Sequence, residues 1–282
     1  MWYALTIRVL APYKIRVMRL FRLILLYTTT LFALSSCQGM FLFHPTTERE
    51  EVLIRTAVRQ GLEPWPGTGE HRMGWRSGGP TASAPRLLVM HGNAGHSLHR
   101  QYFARGFEPY FSVYLLEYPG YGSRPGRPGE DAFVEAARQA VQQLVEEDPA
   151  LPVFLLGESI GTGVATRLAT MFPDLIPGVL LVTPFTNLVD VGRLSFPRVL
   201  VRAVLRDRFD NEAALEGYTG RVGFLLAGQD EVVSTELGQR LYDGFTGEKR
   251  MWIQEGAGHN TLDFSPTSPW WQEAAAFLRG QD

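Results

Sequence analysis

Short uninterrupted apolar runs recur along the chain from residue 87 onward, and each is bounded by turn-forming or charged residues. A short run without polar alternation is typical of a strand that is buried on both faces of a sheet. We therefore predict six strands, at residues 87–90, 112–118, 153–157, 178–182, 222–227 and 250–254.

The segments between these runs place apolar residues at helical spacing. One apolar face in residues 130–148 predicts an amphipathic helix, and it consists of Phe133, Ala137, Ala140, Val141, Leu144 and Val145. Near the end of the chain, Ser268 followed by Pro269 is typical of a helix start, and Gly280 of a helix end. Because strands and helices alternate, we predict an α/β fold, with a mostly parallel central sheet and helices on both faces.

Two stretches depart from this alternation. Residues 64–85 are rich in glycine, proline and serine, a composition that is typical of a linker. Residues 184–220 mix apolar residues with arginines, enough for one or two short helices. We predict that about 184–220 form a small lid, which follows the strand at 178–182, counted as the sixth strand of the fold. A crossover helix with long loops is the alternative.

The N-terminal region places an uncharged stretch, 23–43, directly after five basic residues. In one interpretation, residues 1–37 are an export signal ending in Leu34-Ser35-Ser36-Cys37, which resembles a bacterial lipobox, so that Cys37 becomes lipidated. In the other, the uncharged stretch is a single-pass anchor, since about 20 residues span a bilayer. Both interpretations predict an exported, membrane-anchored protein. Because Met18 itself begins a compact signal, we expect Met18 rather than Met1 to be the start.

The charge of the chain is unevenly distributed. The net charge of the 282 residues is −2, but residues 1–36 carry +5, so that residues 37–282 carry −7. An acidic domain argues against nucleic-acid binding. A single cysteine excludes an intrachain disulfide, and six scattered histidines without a cysteine pair argue against a zinc site. We expect neither a metal nor a cofactor.

A predicted strand-to-helix turn carries a candidate nucleophile. The pentapeptide Gly157-Glu158-Ser159-Ile160-Gly161 follows the predicted strand 153–157 and opens an apolar helical stretch. In so tight a turn the central serine projects from the sheet, and a Cβ two residues to either side would clash. The free N–H groups of the helix start point to the place where negative charge develops on a substrate. Ser159 is therefore predicted to be a nucleophile.

A serine nucleophile needs a general base and a group that orients this base. His259 lies just after the last predicted strand, and Asp230 just after the preceding one. We predict that His259 accepts the Ser159 proton and delivers it to the leaving group. Asp230 would hold the imidazole in the right tautomer and stabilise its charged form. Asp190, which follows the strand at 178–182, is the reserve candidate for the acid.

Backbone N–H groups are the predicted donors to the oxyanion. One is that of Ile160, the residue after the nucleophile. The second is expected from Asn93, in the glycine-containing loop that follows the strand at 87–90. We interpret His91, in the same loop, as a structural residue, and His96 and His99 as solvated side chains. The loop at 117–123 is expected to be rigid and to support the oxyanion loop, without a catalytic residue.

Five motifs in this order resemble the α/β-hydrolase superfamily, and within it the serine-aminopeptidase-like branch. They are HGNAGH at 91–96, EYPGYGS at 117–123, GESIGTG at 157–163, AGQDE at 227–231 and GAGHN at 256–260. FLFHP at 41–45 and DRFDN at 207–211 are also similar to that branch. The resemblance implies the same triad and oxyanion residues, and it departs at His96, where asparagine often stands. We thus interpret 38–85 as an N-terminal extension with the first strands, and 86–282 as the catalytic domain.

These residues predict a serine hydrolase that cleaves a carboxylic ester or thioester through an acyl-enzyme. The expected partners are a small-molecule ester or acyl substrate and the membrane, through a lipidated Cys37 or the N-terminal helix. A peptidase or amidase is the alternative enzyme, and recognition of a peptide amine would then need an acidic group, for which Glu158 is the candidate. A non-catalytic binding protein with this fold would lack a triad residue, and none is missing.

Overall fold

The computed structural model describes residue 29, residue 39 and residues 42–67, 71–78 and 80–281. Cys37 with the rest of the lipobox, and the two candidate start residues Met1 and Met18, lie outside these residues. Within the described part of the chain, no helix has the length and the apolar run that a bilayer span requires. Lipidation at Cys37 and a single-pass anchor both stay predictions.

Ten strands are present in the described residues. They are β1 His44–Pro45, β2 Glu63–Pro66, β3 Arg72–Arg76, β4 Arg86–Met90, β5 Ala94–Gly95, β6 Ser112–Leu116, β7 Val153–Glu158, β8 Gly178–Val182, β9 Arg221–Ala227 and β10 Lys249–Gln254. Eight form one sheet in the order β10-β9-β8-β7-β4-β6-β3-β2, and β1 pairs with β5. The six strands predicted from the apolar runs are the six parallel strands of this sheet, which confirms the predicted α/β fold.

The edge of the sheet corrects the interpretation of residues 64–85 as a linker. β2 and β3 pair antiparallel with each other, and β3 pairs antiparallel with β6. Trp65 and Trp75 on these strands are fully buried. Proline is compatible with an edge strand, because one side of that strand needs no N–H donors. The proline and glycine content of the stretch concealed two strands that two tryptophans hold against the core.

Helices cover both faces of the sheet. They are α1 Glu50–Arg59, α2 Gln101–Phe107, α3 Glu130–Glu147, α4 Ile160–Met171, α5 Leu188–Gly192, α6 Arg198–Val204, α7 Asn211–Leu215, α8 Thr235–Gly244 and α9 Trp270–Arg279, with a 3₁₀ helix at Ser97–Arg100. The predicted helix at 130–148 is α3. The C-terminal helix, α9, begins one residue later than predicted, with Pro269 as its N-cap, and ends at Gly280 in a left-handed conformation.

Alternate side chains of the parallel strands enter two separate hydrophobic cores. In β4, Leu88 and Met90 pack with residues of α3 and α4, whereas Leu87 and Val89 pack with residues of α1, α2 and α9. Successive side chains of a strand point to opposite faces, so an uninterrupted apolar run fits a sheet that is covered on both sides. This layering brings the carboxyl ends of β4, β7, β9 and β10 to one edge, where the candidate site lies.

The segment predicted to be a lid, 184–220, contains three short helices between β8 and β9. α5 and α7 each bury part of their residues in the described structure, but α6 buries none of its residues. The DRFDN stretch within the segment is anchored, because Phe209 is fully buried and Asn211 donates to Thr162 Oγ1 and to the Phe185 carbonyl oxygen. Three short helices are therefore present where one or two were predicted, and their action as a lid stays a prediction.

Candidate active site

The turn from β7 to α4 holds Ser159 in an unusual backbone conformation. Its φ is 51° and its ψ is −119°, a region that residues other than glycine rarely occupy. Its N–H donates to the Val182 carbonyl oxygen at 2.8 Å. A Cβ on Gly157 would lie 2.5 Å from the Gly161 carbonyl oxygen, and one on Gly161 would collide with the carbonyl oxygen of Met90. The turn therefore requires both glycines, as the motif predicted.

The structure brings the three predicted triad residues together as one hydrogen-bonded chain. His259 Nε2 lies 3.1 Å from Ser159 Oγ, and His259 Nδ1 lies 2.8 Å from Asp230 Oδ2. The side chain of His259 is 9% exposed and that of Asp230 is 2% exposed. A carboxylate only accepts hydrogen bonds, so Nδ1 carries the proton and Nε2 is left to accept one from the serine hydroxyl.

Asp230 is oriented by its own loop. Its second oxygen, Oδ1, accepts the N–H groups of Val232 and Val233, each at 2.9 Å. Burial acts to raise the pKa of the carboxyl, but the hydrogen bond from His259 and these two amides outweigh burial and hold the pKa below its ordinary value. The group facing the imidazole is therefore a fixed carboxylate, which stabilises a positive charge on the ring.

Asp190, the reserve candidate for the acid, lies away from His259. It belongs to α5, where its carboxylate accepts from Thr186 Oγ1 at 3.0 Å and pairs with Arg193 at 3.2 Å and Arg240 at 3.3 Å. These partners occupy it as a structural anchor of the α5 segment. The geometry therefore supports Asp230 and not Asp190 as the group that orients His259.

The two predicted oxyanion donors line the same cavity as the serine. Ile160 is the first residue of α4, so its N–H has no acceptor within the helix. Among the described residues, neither this N–H nor that of Asn93 donates to another protein group. Both amides are therefore available to a ligand at the wall that contains Ser159.

Neighbouring segments hold the loop that carries Asn93. The Tyr121 hydroxyl donates to the Asn93 carbonyl oxygen at 2.7 Å, which confirms the predicted support from the loop at 117–123. From the other side, β1 pairs in parallel with β5, and Thr46 N–H donates to the Gly95 carbonyl oxygen at 2.8 Å. The segment directly after the N-terminal apolar stretch thus becomes part of the frame of the site.

His91 and Glu117 lie in the buried layer beneath this loop. His91 Nδ1 lies 2.7 Å from the Gly92 carbonyl oxygen, its Nε2 lies 3.6 Å from Glu117 Oε1, and its ring packs 4.2 Å from that of Tyr118. Glu117 also accepts from the backbone and the hydroxyl of Ser97. The interpretation of His91 as a structural residue is confirmed by its burial.

The interpretation of His96 as a solvated side chain is wrong. His96 is buried and stacks on His99, with ring centroids 3.8 Å apart, whereas His99 is exposed. Burial, followed by the proximity of His99, lowers the pKa of His96 to about 4. His96 directly precedes the buried start of the 3₁₀ helix, Ser97 and Leu98. The polar residues around it in the sequence gave no sign of this burial.

Sequence reasoning missed the role of Glu158, the residue before Ser159. Its Oε2 accepts the Gly92 N–H at 2.9 Å and Arg100 Nε at 2.6 Å, and its Oε1 accepts the Tyr102 hydroxyl at 2.8 Å. Burial acts to raise the pKa of Glu158, but Arg100 and then Tyr102 and Gly92 hold the pKa below its ordinary value. These partners come from a different segment of the chain, so no local spacing signalled them.

A cavity of about 310 Å³ lies above these groups. Its lining includes the polar groups of Ser159, His259 and the Asn93 loop, and an apolar part that consists of Leu42, Phe185, Leu188, Val191, Val232 and Val233. Such a combination is typical of a small-molecule site. In the described residues, no group of three histidine, cysteine or acidic side chains converges as metal ligands.

Comparison with known proteins finds similarity to the same superfamily that the sequence motifs resemble. Residues 82–211 match the family model described as serine aminopeptidase, S33. An uncharacterised protein of Mycobacterium tuberculosis is 34% identical over 182 residues, which cover 63% of this chain and 64% of that protein. The lysophosphatidylserine lipase ABHD12 of Danio rerio is 28% identical over 186 residues, which cover 57% of this chain and 47% of the lipase.

A solved structure shares the fold. An esterase from Pyrococcus furiosus aligns with a TM-score of 0.64 over 85% of this chain and 98% of the esterase, at 15% sequence identity. At this level of identity the similarity concerns the fold alone. Fold, family model and relatives agree, and together they support a member of the α/β-hydrolase superfamily.

Proposed function

We propose that the chain is a membrane-tethered serine hydrolase that cleaves a carboxylic ester or thioester through an acyl-enzyme. The observation that carries this proposal is the hydrogen-bonded chain from Ser159 Oγ through His259 to Asp230, at 3.1 Å and 2.8 Å. Ser159 and His259 line a cavity that is also lined by Asn93 and Ile160, whose backbone amides are available. Nucleophile, base, orienting acid and oxyanion donors are the four parts that acyl transfer requires.

In the first half of the reaction, Ser159 Oγ attacks the carbonyl carbon of the substrate while its proton passes to His259 Nε2. The electron pair of the carbonyl bond moves to the oxygen, which accepts hydrogen bonds from the amides of Asn93 and Ile160. When the tetrahedral intermediate collapses, the bond to the alkoxide or thiolate breaks. His259 gives its proton to this leaving group, and the acyl group stays on Ser159.

In the second half, a water molecule takes the place of the leaving group. It gives a proton to His259 Nε2 and attacks the acyl carbon, which regenerates an oxyanion at the same amides. Collapse breaks the bond to Ser159, which recovers its proton from His259. The products are a carboxylic acid and the free enzyme, and Asp230 stays ionised throughout because its pKa is held low.

An acyl substrate fits the apolar wall of the cavity. Leu188 and Val191 of α5, with Phe185 and the two valines that follow Asp230, offer side chains that an aliphatic chain can contact. The Danio rerio relative is a lysophosphatidylserine lipase, which supports ester chemistry. The proposed membrane tether at Cys37 or in the N-terminal stretch would place the enzyme beside lipid esters.

The peptidase alternative has less support from the site. An aminopeptidase needs a carboxylate that is free to bind the substrate ammonium, and Glu158 was the candidate. The three hydrogen bonds that Glu158 accepts already use both of its oxygens, and one comes from a guanidinium. The alternative of a binding protein without catalysis predicts an incomplete triad, whereas Ser159, His259 and Asp230 form a continuous chain.

A substrate panel on the purified full-length chain tests this proposal. It compares p-nitrophenyl esters of short to long acyl chains and an acyl thioester with peptide p-nitroanilides that have a free amino terminus. Ser159→Ala is the control for contaminating hydrolases. We expect turnover of esters or the thioester that is lost in Ser159→Ala. Turnover of the peptide amides alone would favour the peptidase, and turnover of no substrate would contradict the proposal.

A further inference from the structure

The segment from residue 193 to residue 203 exposes apolar side chains beside the candidate site. Leu194 is 57% exposed, Phe196 is 61% exposed and Val199 is 80% exposed. α6, which begins within this segment at Arg198, buries none of its residues. Exposed apolar groups that cluster in one segment are typical of a surface that another apolar phase covers.

Arginines accompany these apolar side chains. Between residues 193 and 206 they are the sole charged residues, at positions 193, 198, 202 and 206, whereas residues 37–282 together carry −7. Arg198 and Arg202 are exposed, lie one helical turn apart and pair with no acidic group in the described residues. They line a cleft of about 110 Å³ with Arg208, Asn187, Val189 and Asp210.

This surface is continuous with the wall of the catalytic cavity. Val191 of α5 lines the cavity, and the next residue, Gly192, is packed against Val201 of α6. Leu42 lines the same cavity from the N-terminal side. It lies five residues after Cys37, so an anchor at Cys37 can be no more than about 18 Å of extended chain from the cavity. The proposed tether and the exposed segment thus meet at one cavity.

We propose that Leu194, Phe196, Val199, Arg198 and Arg202, here named the α6 surface, dock on an anionic lipid bilayer. The three apolar side chains enter the boundary between headgroups and acyl chains, and the two arginines bind lipid phosphates. A helix with arginines beside apolar residues has the composition of an interfacial membrane element, and arginine binds phosphate oxygens in a bidentate manner. Docking would turn the cavity towards lipid esters.

Docking rests on the proposed membrane location and is independent of the proposed hydrolysis. It is therefore tested in the full-length Ser159→Ala chain, reconstituted into phosphatidylcholine vesicles with or without phosphatidylglycerol. Val199→Cys places an environment-sensitive fluorophore on the α6 surface. The matched control is Met171→Cys, which is also exposed but lies at the far end of α4 from Ser159. The parent chain gives the background from Cys37.

The expected result is a blue shift at position 199 and quenching by lipid-borne quenchers in vesicles with phosphatidylglycerol. Position 171 should show neither, and added salt should reverse both. Replacement of Arg198 and Arg202 by glutamine should lower the docking equilibrium about 25-fold, since each basic residue near an anionic surface contributes about fivefold. Replacement of both arginines by lysine keeps the charge and should retain most of the docking.

The proposal would be overturned if the emission at position 199, like that at position 171, did not change when the vesicles contain phosphatidylglycerol. A blue shift at position 199 that needs no vesicles and grows with protein concentration would also overturn it, because a second copy of the chain would then cover the surface. Co-sedimentation of the full-length chain with phosphatidylcholine vesicles reports the anchor separately. Failure of the tether and failure of the α6 surface are therefore distinguishable, and neither depends on catalysis.

Discussion

The carboxylate of Glu158 accepts the N–H of Gly92 at 2.9 Å, and this bond joins the residue before the candidate nucleophile to the loop that carries a candidate oxyanion donor. Arg100 and Tyr102 also donate hydrogen bonds to this carboxylate. The position of the Asn93 amide relative to Ser159 thus depends on a side chain inside the nucleophile motif itself. Glu158 is a positioning residue in this account.

Glu158→Gln should lower kcat by about tenfold and change KM little, because a displaced oxyanion donor weakens the transition state more than the ground state. The change also leaves Arg100 without its ionic partner, so the melting temperature is measured alongside. Tyr102→Phe removes one hydrogen bond to Glu158 but leaves the bond from Gly92. It should therefore lower kcat less than Glu158→Gln does. A raised KM with an unchanged kcat would instead mean that Glu158 contacts the substrate.

Asp230→Asn should reduce kcat by about 10⁴-fold, since an amide at this place favours the wrong imidazole tautomer, as it does in other Ser-His-Asp enzymes. Asp190→Asn should keep kcat within about threefold, because Asp190 contacts Thr186 and two arginines and not His259. Steady-state kinetics of both variants on the best ester check this. Retained activity in Asp230→Asn, with a loss in Asp190→Asn, would reverse the assignment of the acid.

Gly161→Ala should destabilise the fold by about 2 kcal/mol or more, because its new Cβ meets the backbone carbonyl oxygen of Met90, which cannot move without disturbing β4. Gly244→Ala is the matched control, since no atom lies within 4 Å of its added Cβ. Urea denaturation of both variants measures the free energy of unfolding. Equal midpoints would show that the turn has room for a side chain.

The stability of the fold should fall in acid, in part through Glu117. Burial acts to raise its pKa, but His91 and Ser97 outweigh burial and hold the pKa below the ordinary value of 4.5. A carboxyl with a lower pKa in the folded state stabilises the fold above its unfolded pKa, and this stabilisation is lost as the pH falls through the folded pKa. The free energy of unfolding should therefore decrease below pH 4.5.

Urea denaturation at neutral pH and at several pH values below 4.5 measures this loss. Glu117→Gln should show a smaller decrease than the parent chain, because glutamine does not titrate. The same substitution at the exposed Glu216 is the control for a general change of charge. An unchanged pH dependence in Glu117→Gln would mean that other carboxyl groups account for the acid sensitivity.

The main architecture could be predicted from the sequence because the six parallel strands are uninterrupted apolar runs. The edge strands could not, since Pro64 and Pro66 obscure β2 and only burial of Trp65 and Trp75 reveals the pairing. Ser159 and its two glycines could be predicted because the tight turn permits few residues. The choice of the acid depends on which loop reaches His259, which is a tertiary property. The partners of Glu158 and the exposure of α6 are tertiary properties as well.

Active-site labelling of the full-length chain with a fluorophosphonate, followed by mass spectrometry of its peptides, tests directly whether Ser159 is an activated nucleophile. We expect a single adduct on Ser159, no adduct in Ser159→Ala, and labelling slowed by several orders of magnitude in His259→Ala, because only an activated serine reacts at this rate. An unlabelled parent chain, or equal labelling of the parent chain and Ser159→Ala on another residue, would contradict this role of Ser159.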